Sequence, residues 1–99
     1  MAKPTYKQAT EIHLTNLERR GWTVVRTDRN TGRPLKVPHA SQDGLTLWFH
    51  AQSVHQGARG FVHSLNVDMR TTATKTLIAW ARMQASALAP LNAERAADR

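Results

Sequence analysis

Apolar positions divide the chain into two helical segments on either side of a run of strands. In residues 5–21, TYKQATEIHLTNLERRG, they recur every three or four residues, which predicts an amphipathic helix. Pro4 suits a first helical turn, and Gly21 suits the position after the last one. The residues of the predicted packed face are Tyr6, Ala9, Ile12, His13 and Leu17.

A second helix is predicted from Thr71 or Thr72, either of which can cap it, to about Leu88. Its apolar stripe is Ala73, Leu77, Ile78, Ala81, Ala85 and Leu88. Pro90 should end this helix, and the tail 91–99 is predicted to be disordered because it has no partner element. Trp22 and Trp80 are interpreted as core residues.

The segment between the helices has the pattern of antiparallel strands separated by turns. Predicted strands cover 22–27, a short piece at 35–39 that contains a proline, the longest strand at 45–55, and 61–69. DRNTGRP, SQDG and QGARG are the turn signals between them. In the longest strand, Leu45, Leu47 and Phe49 share one face, with Thr46, Trp48 and His50 on the other.

The fold class predicted from this order is α+β, in the order helix, three or four antiparallel strands, helix. Ninety-nine residues suit one domain, which we place at residues 1–90. Each helix has one apolar stripe to bury, so both are expected on the same face of the sheet. The other face then stays open to water or to a partner.

Composition limits the classes of function. Fourteen Lys and Arg against seven Asp and Glu give a net charge of +7, which favours nucleic acid or an acidic protein as partner, or serves solubility alone. Cysteine is absent, so disulfides and thiolate metal sites are excluded. The chain has no apolar run of membrane-spanning length and no apolar leader, and a cytoplasmic location without membrane contact is expected.

Basic residues cluster in two places that can contact phosphate. Arg26, Arg29, Arg33 and Lys36 surround the first turn, and Arg70 and Lys75 flank the start of the second helix, where free backbone amides also attract anions. The alternative is a solvated loop with ordinary charges.

Trp48 and two histidines complete the candidate nucleic-acid surface. Trp48 and His50 should lie on the open face, where an aromatic ring beside basic groups can stack on a base; burial against an edge loop is the alternative for Trp48. His63 becomes a cross-strand neighbour of His50 if the connection between their strands forms a hairpin.

Catalysis and metal binding have weaker support in the sequence. The five histidines are spread over a helix, a turn and strands, without the spacing of a metal site, and no metal or other cofactor is predicted. His39, His50, His55 or His63 beside a cation would suffice for RNA cleavage through the 2′-hydroxyl, yet no paired carboxylates, nucleophile motif or phosphate-binding glycine loop accompanies them. No catalytic residue is therefore assigned.

A local resemblance adds to this interpretation. LERRGWTVVRT at 17–27 and VPH at 37–39 resemble segments of the HicA-type toxins, small ribonucleases with a double-stranded-RNA-binding-like fold. The resemblance implies that fold. The place of the toxins' catalytic Gly-Ser-His segment reads DRNTGRPLK and contains no histidine, so the resemblance assigns no catalytic residue.

Three functions remain open at this point. The first is a non-enzymatic nucleic-acid-binding module for RNA or DNA. The second is an interaction or inhibitor module whose basic surface docks an acidic protein. The third is a HicA-like ribonuclease with a displaced catalytic histidine.

Overall fold

The chain folds into one five-stranded antiparallel sheet with a helix at each end of the sequence. The computed structural model describes residues 3–58 and 61–97, with side chains described for 3–58, 62 and 64–85. The elements are α1 (Tyr6–Arg19), β1 (Thr23–Thr27), β2 (Pro34–Gln42), β3 (Leu45–Phe49), β4 (Val54–Ala58), β5 (Phe61–Leu65) and α2 (Thr74–Ala97). The strands lie in sequence order, each antiparallel to the next. The predicted α+β class and element order are confirmed.

Helix α1 ends just before Gly21, as predicted, but it begins at Tyr6, so Pro4 lies before the helix and not in its first turn. Thr5 and Gln8 form a capping box, in which the Gln8 backbone N–H donates to Thr5 Oγ1 at 3.1 Å and the Thr5 N–H donates to Gln8 Oε1 at 2.8 Å. Gly21 follows the helix with a φ of 85°, a conformation that side chains disfavour. The packed face differs from the prediction, because Leu14 is buried whereas Ile12 is 52% exposed.

Both helices pack on the same face of the sheet, as predicted. The His13 ring of α1 stacks on Phe49 of β3, and Gln84 of α2 accepts a hydrogen bond from Gln56 Nε2 of β4 at 3.0 Å. Phe49 and Gln56 both lie on the face of the buried Leu47. Phe49 is two residues after Leu47 in β3, and Gln56 of β4 is paired directly with Leu47. This covered face holds the core, which includes Ala40, Leu45, Leu47, Phe49, Val54 and Leu65 together with apolar residues of both helices.

The predicted long strand at 45–55 is wrong: it is two strands, β3 and β4. The chain reverses between His50 and Ser53, and the His50 N–H donates to the Ser53 carbonyl at 2.8 Å. The sheet therefore has five strands instead of three or four. QGARG is not a turn throughout, since Gln56, Gly57 and Ala58 belong to β4. The turn at 50–53 contains no Gly or Pro, which is why the pattern did not reveal it.

Strand β2 has nine residues and is the second strand of the sheet, whereas the sequence predicts only a short piece at 35–39, whose proline favours an edge or a strand end. Its pairing with β1 is interrupted between Val25–His39 and Thr27–Pro34, so that one residue of β1 faces four of β2. Pro38 lies inside this bulge, where its missing N–H breaks no ladder hydrogen bond. The proline is thus tolerated within a longer strand.

Helix α2 begins later and ends later than predicted. Thr72 belongs to the preceding turn, where its hydroxyl donates to the Asp68 carbonyl at 2.8 Å, and the helix starts at Thr74. Leu77, Ile78 and Ala81 are buried as expected, and Ala73 is exposed. The helix runs past Pro90 to Ala97, but side chains from residue 86 onward and residues 98–99 lie outside the described residues. The predicted disordered tail therefore stays a prediction.

The tryptophans outside the sheet differ from one another. Trp22 is 4% exposed and belongs to the core, as predicted, whereas Trp80 on α2 is 43% exposed, so its assignment to the core is wrong. No helix in the described part of the chain combines the length and apolarity needed to cross a membrane.

Candidate nucleic-acid interface

One row of residues crosses the face of the sheet that the helices leave uncovered. In antiparallel strands, residues directly opposite each other share a face. The register pairs Val25 with His39, His39 with Trp48, Trp48 with His55 and His55 with Ser64. These five residues therefore form one continuous row over all five strands, which we call the transverse row.

Trp48 is the centre of the transverse row and has an imidazole on each side. His39 and His55 are its partners on β2 and β4, and all three side chains are partly exposed. Directly opposed side chains lie about 5 Å apart at Cβ, so the three rings are neighbours on one face of the sheet. Such a surface can stack against a planar group, and its imidazoles can donate or accept hydrogen bonds.

His50 adds a fourth ring to this surface. It follows β3, and its ring centroid lies 4.2 Å from that of His55 in an edge-to-face arrangement. Partial burial and the neighbouring His50 lower the pKa of His55, and His55 Nδ1 is shielded from solvent without a hydrogen-bond partner among the described residues. His55 is thus held in its neutral form near pH 7.

The basic loop between β1 and β2, which contains Arg29 and Arg33, is held by Asp28. The Asp28 carboxylate accepts the backbone N–H groups of Asn30 at 2.7 Å and Thr31 at 3.1 Å, and these bonds lower its pKa. Arg29, Arg33 and Lys36 are exposed. Since hairpin connections alternate between the two ends of a meander, this loop lies at the same end of the sheet as the His50 turn.

Two of the predicted basic residues are engaged elsewhere. Arg26 donates to Glu11 Oε1 at 2.8 Å and to Glu18 Oε2 at 3.3 Å, which ties β1 to α1. Arg70 binds both carboxylate oxygens of Asp68 at 3.1 Å and lies 4.1 Å over the Tyr6 ring. Both arginines thus hold structure together and do not join the surface around Trp48.

Lys75 and His63 are also separate from that surface. Lys75 is exposed in the first turn of α2, on the helical layer. The register pairs His63 with Gln56, and not with His50 as the hairpin hypothesis required. The side chain of His63 lies outside those described. Of the nine predicted residues, the structure brings Trp48 and His50 together, with Arg29, Arg33 and Lys36 at the same end of the sheet.

His39 and His55 are the members of this surface that were not among the nine predicted site residues. The available signal was alternation: His55 lies between Val54 and Gln56 in VHQGA, and His39 precedes Ala40, which is buried. Recognising it required the turn at 50–53. Groups of three or more His, Asp or Glu side chains that could hold a metal ion do not occur in the described part of the chain.

Comparison with known proteins adds no relative to this description. No protein-family model, curated protein or solved structure matches this chain significantly. The resemblance to HicA-type toxins therefore stays an expectation, and the functional conclusion depends on the geometry of the transverse row and the basic loop.

Proposed function

We propose that this protein is a non-enzymatic nucleic-acid-binding module that holds a single strand on the open face of its sheet. The observation that carries the proposal is the His39–Trp48–His55 part of the transverse row. A base can stack on Trp48 only when it is free of its own helical stack, which favours a single strand over a duplex. The imidazoles on either side offer hydrogen-bonding groups to base edges or phosphate.

The basic loop supplies the phosphate contacts. Arg29, Arg33 and Lys36 lie at one end of the sheet, beside the His50 turn, where a strand that leaves Trp48 can pass. Arg26 and Arg70 are excluded from this role because carboxylates already neutralise them. The lack of cysteine fits a reducing compartment such as the cytoplasm, which we propose as the location.

An NMR titration tests the proposal. The protein is titrated with a single-stranded RNA, a DNA of the same sequence, the RNA duplex and heparin. We expect single strands to shift the Trp48 indole and the amides of His39 and His55, and heparin to shift only the basic loop. Equal responses to all four ligands, without a change at Trp48, would instead support docking of an acidic protein and would reject stacking.

A second candidate, RNA cleavage, is favoured by one observation, the proximity of His50 and His55. Two imidazoles whose ring centroids lie 4.2 Å apart can supply a general base and a general acid to one substrate. Incubation of the wild type and His55→Gln with a labelled RNA, followed by denaturing electrophoresis, tests this candidate. Cleavage by the wild type that is lost in the variant would establish it, and intact RNA in both would reject it.

A further inference from the structure

A groove lies at the opposite side of the sheet from Trp48, under the first half of α1. It forms because residues 35–38 of β2 are not paired with β1, so that the two strands separate there. The gap is bounded by α1 above, by the ends of β1 and β2, and by the turn after β3. Its volume is about 640 Å³, within the range of small-molecule sites.

The lining of this groove is mainly apolar. Tyr6, Leu35 and Pro38 form its walls, and Leu14 and Phe49 lie at its floor. Leu14 and Phe49 are each only 1% exposed, so the groove reaches down to the core. A ligand inside it would remove apolar surface from water at about 25 cal/mol for each Å² buried.

The rim carries an excess of positive charge. Arg26 and Glu11 border the groove as an ion pair and offset each other. Lys7 and Lys36 also border it, are exposed, and make no ion pair within the part of the chain that the structure describes. The groove thus combines an apolar interior with two lysines at its opening.

We propose that the groove under α1 binds a small organic anion, an apolar body with one terminal carboxylate directed at Lys7 and Lys36. An apolar cation would meet like charge at the rim. A nucleobase would leave most of its hydrogen-bonding groups unpaired against this lining. The site differs from the nucleic-acid surface in using neither Trp48 nor Arg29 and Arg33, although the two sites share Lys36 and the turn that begins at His50.

The test uses decanoate, decanol and acetate, each titrated into the full-length protein and followed by amide chemical shifts. We expect saturable shifts at Thr10, Leu14 and Phe49 with decanoate, weaker binding of decanol, and none of acetate. Decanol binding as tightly as decanoate would overturn the assignment of an anion. Decanoate that shifts no groove residue, or fails to saturate, would overturn the site itself.

Variants separate the two parts of the groove. Lys7→Gln with Lys36→Gln should weaken decanoate binding about three- to tenfold, because exposed ion pairs are weak, and should leave decanol unaffected. Leu35→Asp should abolish binding of decanoate, since it places a carboxylate in the lining. Lys75→Gln, an exposed lysine away from the groove, is the matched control and should bind like the wild type. Unchanged decanoate binding in the double variant would refute the role of the lysines.

Discussion

The two faces of the sheet carry the same backbone and differ in what lies over them. On β3, Leu45, Leu47 and Phe49 face the helices and are at most 6% exposed, whereas Thr46 and Trp48 between them keep contact with solvent. On the covered face, Gln56 donates from Nε2 to Gln84, and its Oε1 is buried without a hydrogen-bond partner among the described residues. The open face tolerates three partly exposed aromatic rings in one row. The covered face therefore supplies stability, and the open face is free to bind.

The histidines show the same difference. His13, on the buried side of α1, forms hydrogen bonds through both ring nitrogens. Its Nε2–H donates to the Met69 carbonyl at 2.7 Å, and its Nδ1 lies 2.7 Å from the Thr74 hydroxyl. Because a carbonyl can only accept, Nε2 carries the proton and Nδ1 accepts from Thr74. His55 on the open face has no partner at Nδ1 among the described residues. Hydrogen bonds thus fix the ring of His13, whereas Nδ1 of His55 is shielded from solvent and is held by no such bond from the described part of the chain.

The largest expected effect is a difference in stability between substitutions at two neighbouring positions of β3. Leu47→Ala should reduce the free energy of unfolding by about 3 kcal/mol, because Leu47 is fully buried on the covered face and its truncation leaves a cavity. Thr46→Ala, one residue earlier on the open face, should cost less than about 1 kcal/mol. Urea unfolding measures both, and similar losses at the two positions would show that the faces are assigned wrongly.

A somewhat smaller effect is expected on binding. Trp48→Ala should weaken binding of single-stranded RNA by about 1 to 3 kcal/mol through loss of one stacked base. Trp80→Ala is the matched control, because Trp80 is exposed on α2 and should leave affinity unchanged. Fluorescence anisotropy with labelled RNA gives both values. Equal losses in the two variants would argue against a site on the open face.

The third effect is a pH dependence of stability that originates on the covered side. Burial lowers the pKa of His13, although its bond to Met69 opposes this. The unfolded chain, with a pKa near 6.5, then binds more protons, so the free energy of unfolding should fall as pH drops below about 6.5, by at most about 1.4 kcal/mol per pH unit. His13→Gln should flatten this slope between pH 7 and 5, and His55→Gln should change it less. An unchanged slope in His13→Gln would contradict this assignment.

The smallest expected effect distinguishes free from paired arginines. With Arg29, Arg33 and Lys36 as the phosphate contacts, log affinity for a single strand should fall against log salt with a slope of about −2. Arg33→Gln should reduce that slope by about 0.7, whereas Arg26→Gln should leave it unchanged, since Glu11 and Glu18 already hold Arg26. Anisotropy at several salt concentrations measures the slopes. A larger change in slope for Arg26→Gln than for Arg33→Gln would show that Arg26, and not Arg33, contacts phosphate.

Local signals predicted a large share of the fold. Gly21 marks the end of α1, and Asp43 with Gly44, both at positive φ, form the turn between β2 and β3 that SQDG predicts. The turn at 50–53 was missed because Ala51 and Gln52 carry no turn chemistry and an alternating pattern continues through them. For the same reason β3 and β4 appeared to be one strand.

The candidate site was less predictable than the fold. The alternation of β3 was enough to separate Trp48 from Leu47, because the direction of a side chain in a strand depends only on its neighbours along the chain. The pairing of Trp48 with His39 and His55 depends on register across three strands. The ion pairs of Arg26 with Glu11 and Glu18, which remove Arg26 from the binding surface, depend on how α1 lies over β1.

The sequence by itself determined the two helices, the alternating faces of the strands and the excess of positive charge. Only the tertiary structure decided which histidines meet Trp48, which cations stay free, and that a groove opens under α1. The reason is physical: propensity, capping and alternation act between residues a few positions apart. Register, ion pairing and cavities join residues far apart in the chain, such as Arg26 with Glu11 or His13 with Thr74, and exist only once the helices have packed on the sheet.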